Sequence, residues 1–182
     1  MPPFPIVQSV HGKDRSMSFS PDRRALLIAL AMSPASIAFA ADDPGAPVAE
    51  AYRISAGPDG KWEGANVLFD DKALERLFSA AFVKAFRDMK AQEEKSKDVI
   101  LDFDPISASQ DPSVNDLTIK TESRTGDRAL VVARFHYEKG KDPWTVVKYD
   151  MARENGVWKI DDIAGEVDKD RWSVRKIMRG AK

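Results

Sequence analysis

The chain contains no cysteine. Disulfides, thiolate zinc sites, iron–sulfur clusters and a cysteine nucleophile are thereby excluded, as is the lipid-bearing cysteine of a bacterial lipoprotein. Histidine is nearly as scarce, with only His11 and His136. A histidine-rich metal site cannot be assembled from them, and no Ser-His-Asp arrangement can be argued around His136 alone. No charge of one sign prevails either. Against 28 Lys and Arg stand 29 Asp and Glu, a formal net charge of −1, so nucleic-acid binding has no electrostatic support. Gly57-Pro58-Asp59-Gly60 is the one glycine-rich turn that invites a phosphate-loop reading. It lacks the glycine spacing and the Lys-Ser/Thr end that such a loop needs. No internal repeat or low-complexity tract stands out. What is present is a hydrophobic share of 43% and a charged share of 31% over 182 residues, the proportions of one ordinary globular domain.

Residues 17–40 read as an export signal. Arg23 and Arg24 form the positive n-region, and Ala25-Leu26-Leu27-Ile28-Ala29-Leu30-Ala31-Met32 the apolar run. Ser33 and Pro34 break that run, and Ala38-Phe39-Ala40 is the small-x-small cleavage pattern. Cleavage is expected after Ala40, which releases the protein to the periplasm or beyond. The stretch barely approaches spanning length, so stable membrane insertion after cleavage is not expected. Asp22-Arg23-Arg24-Ala25-Leu26-Leu27 also fits a twin-arginine signal, and the general secretory and twin-arginine routes stand as alternatives. Pro2, Pro3 and Pro5 lead an aperiodic segment, and Met17 is an alternative start. The expected organisation is a leader over 1–40, a flexible spacer over 41–47 and a single domain over 48–182.

Pro47 favours a short helix over 48–55, and Gly57-Pro58-Asp59-Gly60 ends it. Asp70 or Asp71 then caps one long helix. Its stripe is Leu74, Leu77, Phe78, Ala81, Phe82, Ala85, Phe86 and Met89, at the 3.6-residue period of an amphipathic helix that packs on a sheet. The charged run 91–98 is expected to be solvated. Four strands follow, over 115–123, 128–138, 144–154 and 157–164, and form a meander. The Asn155-Gly156 pair is the strongest turn signal in the chain, because a type I′ hairpin needs φ > 0 at both central residues. Asp168 is a candidate cap for a short C-terminal helix through Met178, with Trp172 and Val174 as anchors.

Asp102 and Asp104, followed by Pro105, suggest a turn held by side-chain-to-backbone hydrogen bonds. A cation site or an acid/base pair is the functional alternative, but the glycine and further oxygen ligands of a calcium loop are missing. Asp161 and Asp162 read as a strand end, with carboxylates in solvent or accepting backbone hydrogen bonds. Trp158 is expected to pack over the helix stripe or else to line a ligand pocket.

Taken together, Leu101-Asp102-Phe103-Asp104-Pro105, then Gln110-Asp111, then Tyr149-Asp150-Met151, then Gly156-Val157-Trp158-Lys159-Ile160-Asp161-Asp162-Ile163 resemble an exported bacterial family of unknown function. That family reads D-F-D-P, Q-D, Y-D-L and G-x-W-x-I-D-D-I, and is assigned to the nuclear-transport-factor-2-like, or cystatin-like, superfamily. The likeness spans residues 69–177, with Met151 where the family has leucine. It implies an α+β fold with a curved, cone-like antiparallel sheet of about four strands, packed on one long N-terminal helix plus short helices. The residues it marks as pocket or motif positions are Asp102, Asp104, Gln110, Asp111, Tyr149, Trp158, Asp161 and Asp162. Steroid isomerases and epoxide hydrolases of the superfamily place carboxylates and tyrosines in the cone. By that analogy Asp102, Asp104, Tyr137, Tyr149 and His136 become acid/base candidates, which fold likeness alone does not establish.

The expected function is therefore a non-catalytic binding module for an envelope protein or a small molecule, with no cofactor and no metal. The alternatives are a small-molecule enzyme using cone carboxylates, and a domain that forms a homodimer through its open sheet face. A cone filled by aromatic side chains counts against the enzyme, and a roomy polar cone would favour it.

Overall fold

A computed structural model describes residues 42–64, 66–140, 143–167 and 169–180. All of them belong to one compact unit, Ser33–Lys182. The expected leader, its cleavage point and the alternative start at Met17 lie outside the described residues. The fold is α+β. Helices α1 (Ala46–Ala56), α2 (Asp71–Leu77) and α3 (Ala80–Ser96) precede strands β1 (Asn115–Thr125), β2 (Arg128–His136), β3 (Thr145–Glu154), β4 (Val157–Val167) and β5 (Asp170–Ser173), and α4 (Val174–Gly180) closes it.

Pro47 sits in the first turn of α1, and Gly57, at φ 73°, ends the helix. Its buried face is Val48, Ala51, Tyr52 and Ser55. The single long helix expected after Asp70 is two helices. Asp70 caps α2, its Oδ1 accepting from the N–H of Lys72 at 3.0 Å and of Ala73 at 3.2 Å. Phe78 then leaves helical geometry for extended backbone and pairs with Ile160 in an isolated parallel bridge. Ser79 caps α3 by accepting the Phe82 N–H at 3.0 Å, a stabilisation of about 1 kcal/mol. The break rotates α3, so Ala81 is exposed while Phe82, Val83, Phe86 and Met89 are buried. The charged run 91–98 is exposed or half-buried throughout, as expected, and it carries α3 on to Ser96. One of its members, Glu93, accepts from the N–H of Ile100 at 2.8 Å and of Leu101 at 3.3 Å, which holds the chain leaving the helix.

The sheet is an antiparallel meander in the order β1-β2-β3-β4-β5, each strand pairing with its sequence neighbour. It has five strands rather than four, and it is not strongly curled. Asn155 and Gly156, at φ 51° and 81°, make the β3–β4 turn as their residue types dictate. On β3, Val147, Tyr149 and Met151 are buried, whereas Lys148 and Asp150, which alternate with them, are exposed. The fifth strand takes residues expected in a C-terminal helix. That helix starts only at Val174, capped by Ser173, whose Oγ accepts from the Lys176 N–H at 3.2 Å. Asp168, the expected cap, lies outside the described residues.

The β3–β4 register slips by one residue between the pairs Met151–Ile160 and Asp150–Asp162, so Asp161 is an extra residue on β4. Such a bulge resets the two-residue alternation. That is why Trp158, Ile160 and Ile163 are all buried although 160 and 163 have opposite parity. Asp161 and Asp162, expected at a strand end, therefore lie within a strand.

The core joins the helix faces to one side of the sheet. Phe78 stacks on Phe82 at 4.7 Å, and Tyr52 meets Phe135 and Tyr149 edge-on at 6.1 and 6.2 Å. Burial of each large side chain of this kind contributes about 1.5–3 kcal/mol. Glu50 of α1 receives hydrogen bonds from Arg53 at 2.6 and 2.8 Å and from Arg76 of α2 at 2.9 Å.

Candidate functional site

The 104–109 turn is built from Asp104. Its Oδ1 accepts from the Ile106 N–H at 3.1 Å and its Oδ2 from the Ser107 hydroxyl at 3.0 Å. Backbone bonds between Asp104 and Ser109, at 2.9 and 3.2 Å, close the loop. The Tyr137 hydroxyl donates to the carbonyls of Ser107 and Ala108 at 3.1 and 3.0 Å. Asp104 thus makes the side-chain-held turn expected of it. Asp102, Gln110 and Asp111 are exposed, and Asp111 donates its N–H to Ser109 Oγ at 3.0 Å. Asp104→Ala is expected to lower stability by about 1–2 kcal/mol, because it strands a backbone N–H and a hydroxyl. Asp102→Ala should stay within about 0.5 kcal/mol of the parent. Urea denaturation of both variants checks this, and equal losses would refute it.

Tyr149 is wholly buried, and its hydroxyl bonds the Tyr52 hydroxyl at 3.1 Å. Burial pushes both phenols above the ordinary tyrosine range, and the charge of Asp104 acts on both in the same direction. Burial likewise raises the Asp104 carboxyl, against the lowering effect of its bonds to Ile106 and Ser107. The interior of the fold thus brings Asp104 and Tyr149 into one electrostatic neighbourhood, closed over by side chains. Tyr52 is 2% exposed and Tyr149 0%. The rings of His136 and Trp144 lie against each other, with centroids 3.8 Å apart and planes tilted by 38°.

Asp161 and Asp162 act as structural junctions. Asp161 accepts from the Ser79 hydroxyl at 2.6 Å and from Arg128 at 2.9 Å, with Arg175 Nη1 at 3.6 Å. Asp162 accepts from its neighbour Ile163 N–H at 2.8 Å, from Ser173 Oγ at 2.6 Å and from Arg175 N–H at 3.0 Å. The first carboxylate fastens the start of α3 to the sheet, and the second fastens the start of α4. Burial raises the Asp161 carboxyl, but the bonds from Ser79 and Arg128 and the charges of Arg175 and Arg128 outweigh it and hold it below the ordinary aspartate range. Asp150 is shifted the other way, by burial and by the charges of Asp162 and Asp161.

These shifts set an acid limb. Hydrogen bonds from Arg53 and then Arg76, against the opposing effect of burial, hold Glu50 down at about 2 from an ordinary 4.5. A carboxyl depressed on folding contributes stability above its unfolded pKa, and that contribution is lost as pH falls through the folded value. Stability is expected to fall between about pH 4.5 and 2, with relief of the penalties on ionised Asp104 and Asp150 working against the loss. In Glu50→Gln this decline should be shallower. Urea midpoints measured across that range test it, and parallel profiles for the two proteins would contradict it.

Trp158 is buried in the core rather than in an open pocket. The guanidinium groups of Arg124 and Arg153 lie 5.2 and 5.8 Å from its ring centroid. Asp42 ties both arginines together, at 2.8 Å from Arg124 and 3.2 Å from Arg153.

A concavity of about 1020 Å³ is a groove bordered by the chain before β3, by β3, β4 and β5, and by α4. Val146, Lys148 and Asp150 of β3 face it, as do Trp144, Trp172, Lys176 and Arg179. Of the residues in the quoted motifs, Asp150 and Asp162 reach it. Lys148, Gly165, Lys176 and Arg179 carry no motif. The sequence signal that could have found them is the cluster of basic residues Lys169, Arg171, Arg175, Lys176 and Arg179 around Trp172 near the C-terminus. Among the described residues no group of three or more His, Asp or Glu is placed to hold a metal ion, and no helix is long and apolar enough to cross a membrane.

No protein-family model, no curated protein and no solved structure matches this chain.

Proposed function

We propose that the chain is an exported member of the family its motifs resemble, and that it is a non-catalytic binding module of the bacterial envelope. The observation that carries this reading is where the two kinds of residue lie. The acid/base candidates Asp104, Tyr137 and Tyr149 are engaged by neighbouring donors and acceptors of the fold, as is the motif carboxylate Asp161. The spacious concavity lies between the sheet and α4, and of the named candidates it holds Asp162 and Tyr137, whose hydroxyl already donates to the Ser107 and Ala108 carbonyls. A groove of this size suits recognition, and its only candidate carboxylate already bonds three donors of its own chain.

The test is native mass spectrometry of the protein recovered from the envelope of cells that make it. A discrete added mass, either a small molecule or a second protein, is expected. A bare chain, together with turnover of an envelope metabolite that disappears in Tyr149→Phe, would overturn the reading. It would favour the alternative, a small-molecule enzyme. One observation speaks for that alternative: the Asp104 charge acts on the paired hydroxyls of Tyr52 and Tyr149.

A further inference from the structure

The groove beside α4 has a sign. Five cations line it, Lys148, Lys169, Arg171, Lys176 and Arg179, against three carboxylates, Asp150, Asp162 and Glu166. Two of the three carboxylates are engaged, and Asp150 of β3 faces the groove as the third. Both oxygens of Asp162 are taken by its own chain, and Glu166 lies 3.4 Å from Arg171. Lys148, Lys169, Lys176 and Arg179 have no carboxylate within ion-pair distance among the described residues. Among the described residues the lining therefore has two more cations than carboxylates, with Lys176 and Arg179 on the α4 wall.

It also has a flat, fixed surface. Trp172 meets Phe103 edge-on at 5.0 Å. Its indole lies so close over Gly165, its cross-strand partner, that a Cβ there would be 2.5 Å from Cζ2. The ring is set before any ligand arrives, which lowers the ordering cost of stacking on it. Trp144, 51% exposed, stands on another part of the lining. Indole faces favour planar or apolar bodies, while the lysines and Arg179 favour an anionic head.

We propose that the groove between β3–β5 and α4 is a binding site for small organic anions with a planar or apolar body, the anionic head at Lys176 and Arg179 and the body against Trp172. This rests on the binding-module reading and specifies its ligand. The head is a carboxylate or a phosphate, and the groove's charge suits both.

Calorimetric titration of the intact chain with naphthoate, naphthyl phosphate and the neutral naphthalenemethanol tests it. At least one anion is expected to bind saturably with a Kd below about 1 mM. The neutral analogue should bind about tenfold more weakly, and added salt should narrow the gap. Lys176→Gln combined with Arg179→Gln should weaken the anion about tenfold without altering the neutral probe, because exposed charges contribute modestly each and act together. Gly165→Ala, which displaces the indole and leaves every cation in place, should weaken both probes. Circular dichroism and melting temperature show whether each variant is folded. Equal affinity for charged and neutral probes, an unaffected double variant, or no saturable anion binding up to about 1 mM would each overturn the proposal. If the anions fail while the native protein carries a neutral molecule or a protein partner, the binding-module reading survives and only the ligand class is wrong. Which anion binds more tightly separates carboxylate from phosphate sources.

Discussion

Trp158→Ala is expected to cost about 3–5 kcal/mol, the range for deleting a large aromatic ring from a core that cannot collapse around the void. The reason lies in what surrounds the ring. Trp158 is 1% exposed and belongs to the cluster that joins the sheet to the helices. Arg124 of β1 and Arg153 of β3 lie across it, and Asp42 bonds both. Removal of the indole therefore creates a cavity and takes away the surface on which two guanidinium groups rest. Trp158→Phe should recover part of the loss by refilling the volume. Urea denaturation gives the answer as a lower midpoint at an unchanged slope. A loss under about 1 kcal/mol would mean that the ring is not a core element.

Gly64→Ala is expected to be the most damaging of the one-carbon changes, at about 3 kcal/mol. A Cβ at residue 64 would lie 2.2 Å from the Ile54 carbonyl oxygen, 2.6 Å from that of Ser55 and 2.7 Å from the Gly57 nitrogen. All three are backbone atoms at the end of α1, so no side-chain rotation relieves the contact. Gly60→Ala is the informative control. Nothing lies within 4 Å of its would-be Cβ, and only its φ of 71° opposes the change. Thermal melts of the two variants should separate them clearly. Equal melting temperatures would mean that the loop 57–64 yields freely.

Features written in adjacent residues were readable in the sequence. Asn155-Gly156, Pro47, Asp70 and the Asp104 turn each act within four residues of themselves, and each takes the geometry its chemistry dictates. The split between α2 and α3 was hidden because its cause is distant. Phe78 keeps the apolar period yet leaves the helix to pair with Ile160, and the Ser79 N–H donates to the Ile160 carbonyl at 2.9 Å. A serine in the middle of an apolar stripe was the available hint, since serine favours caps over helix interiors. The bulge at Asp161 left no local trace, because a slip in pairing belongs to two strands and not to one. The groove was hidden for a similar reason. It depends on Gly165 and Trp172 becoming cross-strand partners and on α4 turning its basic residues toward β3. Of the eight motif positions, Asp104, Tyr149, Trp158, Asp161 and Asp162 are held in the fabric of the fold, and Asp102, Gln110 and Asp111 are at the surface.

The order of elements has a consequence for synthesis. The three helices leave the ribosome before any strand exists to cover them. The buried face of Leu74, Leu77, Phe82 and Phe86 must wait for β4, whose Ile160 closes onto the Phe78–Ser79 break. Each strand, by contrast, finds its partner next to it in the chain and can zip on as it emerges. A nascent chain cut short before residue 157 is thus a sticky intermediate that displays phenylalanines to solvent. The stretch from β4 onward acts as the lock that closes the helix faces.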